Sequence, residues 1–283
     1  MASIRQIRRR IRGVESTAKI TRAMEMIATS KMRRAQEAGV AGRPYDAKIR
    51  QVIAALAAIP GGSPHPLLQR RPVRRIEVVH ITPDRGLCGG LNANLNRMTA
   101  AFILEQTVPV TLVTVGRKGS EFMRRYRRDI RAEFSRLGDR PGLMDTLPIS
   151  RVVIDDYTTG EVDEVYLAFA RFVSTMVQTP VMEKLLPVDP VELPAMQKVE
   201  YIYEPSPGAV LGELLPRFVE MEVYHAILES IASEQSARMV AMRNATQNAN
   251  ELIQDLTLMY NKARQEAITT ELLDIAGGAV ALT

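Results

Sequence analysis

The residues best placed for chemistry lie in one loop, Asp84-Arg-Gly-Leu-Cys-Gly-Gly-Leu-Asn-Ala-Asn94. The loop follows an apolar strand pattern and precedes a helical one. Backbone N–H groups cradle phosphate from that position in nucleotide-binding folds. The details fit poorly, because there is no Gly-Lys-Ser/Thr ending and no G-x-G-x-x-G. A structural tight turn explains the glycines better than a phosphate cradle. Cys88 offers a thiol, but no histidine follows as base, so a small buried packing residue is the expected role. Asp155-Asp156 and Glu161-Val-Asp-Glu164 concentrate carboxylates at turns and helix starts, where acids are favoured without a cation. His65, His80 and His225 are scattered with no metal-ligand spacing. Neither a metal nor a cofactor is expected, and no nucleophile–base pair marks a self-contained enzyme.

The elements that carry these residues are framed by charge and apolar patterning. The 283 residues carry a formal net charge of +5. Residues 1–36 hold ten Lys or Arg against Glu15 and Glu25, a local net of +8, so the other 247 residues sum to −3. A basic helical arm calls for an acidic or anionic partner: a protein surface, nucleic acid or a membrane face. Cys88 is the only cysteine, which excludes an internal disulfide and fits a reducing compartment. No run approaches the ~18 apolar residues of a membrane helix, and no secretory h-region follows the basic start. An Arg-rich, acid-poor start also has the composition of a mitochondrial presequence. The apolar seam that begins at Ile4 argues for a helix instead.

Both ends read as long helices with heptad seams. Toward the C-terminus, Met242, Ala245, Ala249, Leu252, Leu256, Met259 and Ala263 alternate spacings of three and four. Toward the N-terminus, Ile4, Ile7, Ile11, Val14 and Ala18 do the same, then shift phase to Ile20, Met24 and Ile27. The first helix is expected over 1–59, capped by Ser3, weakened at Gly39 and Gly42-Arg43-Pro44, and ended by Pro60-Gly61-Gly62-Ser63-Pro64. The last is expected over 208–283, with Gly277-Gly278 stopping the helix near Ala276. Two helices this long outrun a compact domain of ~120 residues, so they are expected to pair as a shaft covered by another chain.

The middle, 75–204, alternates strands and helices. Strands are expected near Arg75–Thr82, Val108–Val115, Asp129–Phe134, Val181–Leu186 and Val199–Tyr203. Helices are expected at Leu91–Gln106, Lys118–Arg127 and Val162–Gln178, with Pro187–Pro194 as a connector. The fold class is therefore α/β: an antiparallel coiled coil of the terminal helices plus a Rossmann-like domain with a mainly parallel sheet.

Three segments are more specific than any short motif: Ile20-Thr-Arg-Ala-Met-Glu-Met-Ile-Ala-Thr-Ser-Lys-Met-Arg-Arg-Ala35, Ile81-Thr-Pro-Asp-Arg-Gly-Leu-Cys-Gly-Gly-Leu-Asn92, and Ala237–Leu252 continued by Asp255–Leu258 and Tyr260–Gln265. On these the chain resembles the gamma subunits of F-type ATP synthases over most of its length. The resemblance implies a central rotor shaft that turns inside three alpha and three beta subunits. It would couple transmembrane proton flow to ATP synthesis at the beta sites and regulate ATPase activity. A gamma subunit has no nucleotide site of its own. Its α/β domain would meet the epsilon subunit and the membrane c-ring. The expected location is the cytoplasmic face of a bacterial cell membrane, peripheral and without direct insertion.

By position, the resemblance also assigns contacts. Met24 would face a beta-subunit loop, with Arg34 nearby on the basic arm. Arg264 and Gln265 match a pair that hydrogen-bonds a beta catch loop, and Thr269, Thr270 and Glu271 continue it. Thr270 stands where the family commonly has Gln, which implies a shorter contact or none. The tail Ala276–Leu282 matches an apolar bearing. Redox control by a cysteine-pair insertion is not expected with Cys88 alone. Two rival readings stay open on the residues themselves. One is a nucleic-acid-binding coiled coil using the basic arm, against which stand the few aromatics and the lack of a base-reading element. The other is a nucleotide-binding enzyme using Asp84–Asn94, which ATP binding by the isolated chain would reveal.

Overall fold

The computed structural model describes residues 4–57, 65–189 and 204–280, with backbone alone at 43, 46, 57, 274 and 277–280. Ser3, the turn Pro60–Pro64, the strand expected at Val199–Tyr203 and the tail beyond Val280 lie outside the described residues, as does most of the Pro187–Pro194 connector. The chain divides into two units, one of residues Met1–Ala28 with Met239–Thr283 and one of Thr29–Arg238.

The larger unit is built on a five-stranded sheet in the order β3-β2-β1-β4-β5. In chain order its strands are β1 (Ile76–Ile81), β2 (Val110–Val115), β3 (Ile130–Phe134), β4 (Glu164–Phe172) and β5 (Gln178–Leu186). The first four run parallel, and β5 closes one edge antiparallel to β4. β1 is buried along its whole length, because helices cover both faces. On one face α2 (Leu91–Glu105) and α3 (Arg117–Arg125) pack through Ile103 and Met123 onto Ile76, Val78 and Leu112. On the other, α4 (Leu143–Thr159) and parts of α1 (Ile4–Ala57) and α5 (Pro207–Val280) bring Ile149, Tyr157, Ile53, Leu215 and Ile227 against Val79, Val113 and Leu167. Burial of some two dozen apolar side chains at ~1.5–3 kcal/mol each is the main force holding this unit together.

Two expectations are corrected here. The stretch expected to be helical at Val162–Gln178 is strand β4 and the start of β5. β4 lies between β1 and β5 with both faces covered, so its alternation is masked and its Ala168 and Ala170 mimic helix composition. The helix that precedes it, α4, was not anticipated. Pro148 in its second turn and the β-branched run Ile149, Val152, Val153 and Ile154 argue locally against a helix. Gly142 opens α4 by giving its N–H to Asp145 Oδ2 at 2.7 Å. Gly160, at φ 82°, closes it in the left-handed conformation that favours glycine. Of the terminal helices, only α5 departs from expectation, by running past the stop expected at Gly277-Gly278. Helix α1 continues past Gly39 and Pro44.

The two faces of β1 carry two buried titratable groups. His80 faces α2, where Asn96 Oδ1 lies 2.8 Å from its Nε2 and Thr99 Oγ1 3.1 Å from its Nδ1. Burial pushes its pKa down to about 4, so the ring is neutral and serves as a packing and hydrogen-bonding group. Glu77 faces α4. It is fully buried, and neither carboxyl oxygen has a hydrogen-bond partner. Nearby, Asp156 accepts two hydrogen bonds from the Arg131 guanidinium, at 3.0 and 3.1 Å. One cation facing two carboxyls leaves one of them protonated. Burial first, and then the charge of Asp156, push Glu77 up to about 8.

A carboxyl raised in the folded state favours folding at low pH. Its stabilising effect is complete below the ordinary carboxylate pKa, erodes as pH climbs, and is gone above about 8. Glu77→Gln, which keeps the shape and removes the titration, is expected to unfold in denaturant with less pH dependence between 5 and 9. It should also be more stable than the parent at pH 9 by roughly 1–3 kcal/mol. Parallel pH profiles for the two proteins would refute this assignment.

Candidate functional site

The Gly-rich loop was the first candidate, and its geometry is structural. Asp84 Oδ1 accepts the Arg117 N–H at 3.0 Å, and Oδ2 accepts the Arg136 N–H at 2.9 Å. One carboxylate thus ties the ends of β1, β2 and β3 together. Gly116, between β2 and α3, has φ 92°, and a Cβ there would lie 1.8 Å from the Thr82 carbonyl oxygen. Only glycine lets the two strand ends approach so closely. Cys88 is buried against Leu91 and Ala170. Burial raises its thiol pKa, so it stays protonated and packs.

In open α/β sheets the ligand crevice lies beyond the carboxyl ends of the strands, where the strand order reverses. Here that point lies between β1 and β4, and α5 fills it. The Ser233 hydroxyl donates to Ala170 O at 2.8 Å. Ala237 packs on Cys88 and Ala170, and Arg238 donates to Gly86 O at 3.1 Å while held by Glu234 at 2.7 Å. What space remains beside β1 and β2 is about 50 Å³, too little for a nucleotide. The carboxylate clusters are also spoken for: Asp163 Oδ2 accepts the Arg74 and Arg75 N–H groups, and Glu164 takes Lys184 and the Tyr166 hydroxyl. Among the described residues no group of three or more His, Cys, Asp or Glu is placed to hold a metal ion.

The smaller unit is an antiparallel coiled coil. The Thr21 and Thr246 hydroxyls meet at 2.7 Å, and Arg243 Nε donates to Glu25 Oε1 at 2.9 Å. Residue numbers rise along one helix as they fall along the other. The burial pattern corrects the seams. On α1 the inward positions are Ile4, Ile7, Ile11, Val14, Ala18, Thr21, Glu25 and Ala28, a heptad with no phase shift. Ile20 and Ile27 point outward, 58 % and 54 % exposed. On α5, Met242, Ala249, Leu256 and Ala263 face inward as expected. Their companions, however, are Thr246, Ile253 and Tyr260, while Leu252 and Met259 are exposed. On α1 the seam runs through Thr21 and Glu25 where apolar residues are expected, and on α5 it falls one position beyond Ala245, Leu252 and Met259.

Ile20, Met24 and Ile27 therefore form an apolar stripe that the chain itself does not cover, with Met24 half-buried at its centre. The rung pairing sets Ile4 opposite Ala263. From Arg264 on, α5 has no partner helix among the described residues, and Arg264, Gln265, Thr269, Thr270 and Glu271 are all exposed. So are Ile268, Leu272 and Ile275, which share one face of the helix, and Leu273 on another face. The Thr269 and Thr270 hydroxyls donate to Gln265 O and Glu266 O, each at 2.9 Å. Arg34, in the larger unit, is also exposed, and its Nε donates to Ser30 O. The structure thus places all seven expected contact residues on α1 and α5, six of them fully at the surface.

An unpartnered apolar helix extending a coiled coil belongs to an assembly, and the comparisons agree. The ATP synthase family model matches residues 3–282. The sequence is 68 % identical to the ATP synthase gamma chain of Dehalococcoides mccartyi across the whole of both chains. The chain belongs to the ATP synthase gamma-chain family. Gamma chains are non-catalytic rotor subunits, and the plugged sheet crevice is consistent with that role. The fold matches a chain of the Euglena gracilis mitochondrial ATP synthase, solved with OSCP, F1 and the c-ring, with TM-score 0.71. That match covers 99 % of this chain and 94 % of that one, at 22 % identity. It also matches a rotor chain from the same organism with TM-score 0.66 and 19 % identity, over 94 % and 98 %.

Replacing Asp84 with Ala removes two charge-assisted bonds to backbone N–H groups and is expected to cost roughly 1–3 kcal/mol in chemical denaturation. ATP should leave the midpoint of either protein unchanged. Protection of the parent by ATP, lost on substitution, would restore the loop as a nucleotide site.

Proposed function

We propose that this chain is the shaft of a bacterial ATP synthase that couples proton flow to synthesis through asymmetric contacts with three alpha and three beta subunits. The observation that carries this reading is the bare stretch of α5 after Ala263, where Ile268, Leu272, Leu273 and Ile275 are all exposed. A surface of that kind is stable in water only inside a sleeve supplied by other chains. Met24 and its neighbours Ile20 and Ile27 meet a beta-subunit loop, and Arg34 meets acidic groups there. Arg264, Gln265, Thr269, Thr270 and Glu271 engage the beta catch loop. Thr270, shorter than the Gln the family commonly has there, is the weakest of these, and its hydroxyl proton, like that of Thr269, is already committed within the helix.

Rotation does work only if each angle favours one beta conformation over the others. A stripe on one side of a coiled coil is asymmetric in that sense. The α/β unit meets the epsilon subunit and the c-ring at the cytoplasmic face of the membrane. Among the described residues no helix is long and apolar enough to cross a membrane, so its partners would hold it there.

Reconstitution tests the reading. Alpha and beta chains mixed with this chain are expected to form a complex holding one copy of it, with steady ATP hydrolysis that requires it. Failure to join the hexamer would return the basic arm to nucleic acid, to be tested by titration with duplex DNA. In the assembled enzyme Met24→Lys adds a like charge beside the basic arm and is expected to lower ATP-driven proton pumping several-fold while hydrolysis persists. Normal coupling would remove Met24 from the contact.

A further inference from the structure

The end of the sheet opposite the filled crevice is open. At the amino ends of β1, β2 and β4 lies a cleft of about 530 Å³, lined by Arg71, Arg74, Arg75, Pro109, Glu161 and Asp163 among others. Three guanidiniums face two carboxylates, and the carboxylates are partly spent. Asp163 Oδ2 already accepts the backbone N–H groups of Arg74 and Arg75, at 2.7 and 3.2 Å. Glu161 lies 3.6 Å from Arg75, beyond hydrogen-bond range.

The arginines are held but not satisfied. Arg71 lies over the Tyr157 ring, 4.7 Å from its centroid, and its Nη2 donates to Tyr157 O at 2.7 Å. Its Nε is shielded from water with no acceptor. The Arg74 guanidinium makes no ion pair or hydrogen bond among the described residues, although its own backbone is pinned to Asp163. Arginines on anchored backbone, with forks unfilled, fit a tetrahedral oxyanion, which takes paired N–H donors at charge-assisted distance.

We infer that this cleft binds a phosphate group, through Arg74 and Arg75 with Arg71 behind them. The phosphate is either free or carried on an anionic phospholipid headgroup. The inference is independent of the beta-subunit contacts above, since none of those residues lines the cleft.

The full-length chain is used for the test. At constant ionic strength, 10 mM inorganic phosphate replacing chloride is expected to raise its melting temperature by about 3 °C, as a site of roughly millimolar affinity would. Arg74→Ala with Arg75→Ala should abolish the gain. Arg8→Ala with Arg9→Ala, an equal charge loss on the exposed basic arm, should keep it. Flotation with vesicles of equal phosphatidylglycerol and phosphatidylcholine separates the sources. Binding that the cleft variant weakens at least fivefold relative to the arm variant assigns the headgroup. A phosphate-dependent shift without such binding assigns the free ion. An equal response of parent and cleft variant in both assays overturns the inference.

Discussion

Helix α5 must bury one side of itself along most of its length while its surroundings change, and the rest of the structure follows from how it does so. From Leu211 to Ala237 it serves a sheet, and its inward residues are large and apolar or, near the strand ends, small and hydroxylated. From Met242 to Ala263 it serves one other helix, and its inward residues repeat every seven. After that it packs on none of the described residues. Each change of partner is matched by a change in pattern. The last change, to no partner at all, is the mark of a subunit.

The same helix explains why a Rossmann-like sheet in this chain is not a nucleotide-binding one. The strand order reverses between β1 and β4, as it does in dinucleotide-binding folds. Ser233, Ala237 and Arg238 occupy the space where a ligand would lie. The glycines after β1 then serve a close approach of chain to chain, not of chain to phosphate. A fold is retained here while its usual site is spent on holding a helix.

Much of this was legible in the residues, and the misreadings have physical causes. The parallel strands β1 and β2 announced themselves as apolar runs between turns, and the terminal helices as sustained periodicity. Strand β4 was hidden because it is covered on both faces, so no alternation survives. Helix α4 was hidden because Pro148 and its β-branched neighbours argue locally for the opposite, and tertiary packing of Ile149, Val153 and Tyr157 overrides them. The seam at the start of α1 was traced correctly as far as Ala18. It then followed the greasier residues outward, because Thr21 and Glu25 do not look like core until Thr246 and Arg243 stand opposite them. The apolar residues that lie outside the seam are the outward stripe around Met24.

Those two polar rungs also have a mechanical meaning. A seam of alanines, leucines and isoleucines is smooth and resists axial sliding weakly. Slipping one helix past the other by a heptad would set Thr21 against Met239 or Ile253 and strand the Glu25 carboxylate away from Arg243. The hydroxyl pair and the ion pair therefore key the two strands of the shaft together, as cross-pins do in a twisted cable. Torsional load entering at one end is then carried as strain in both helices, and is not lost as creep between them.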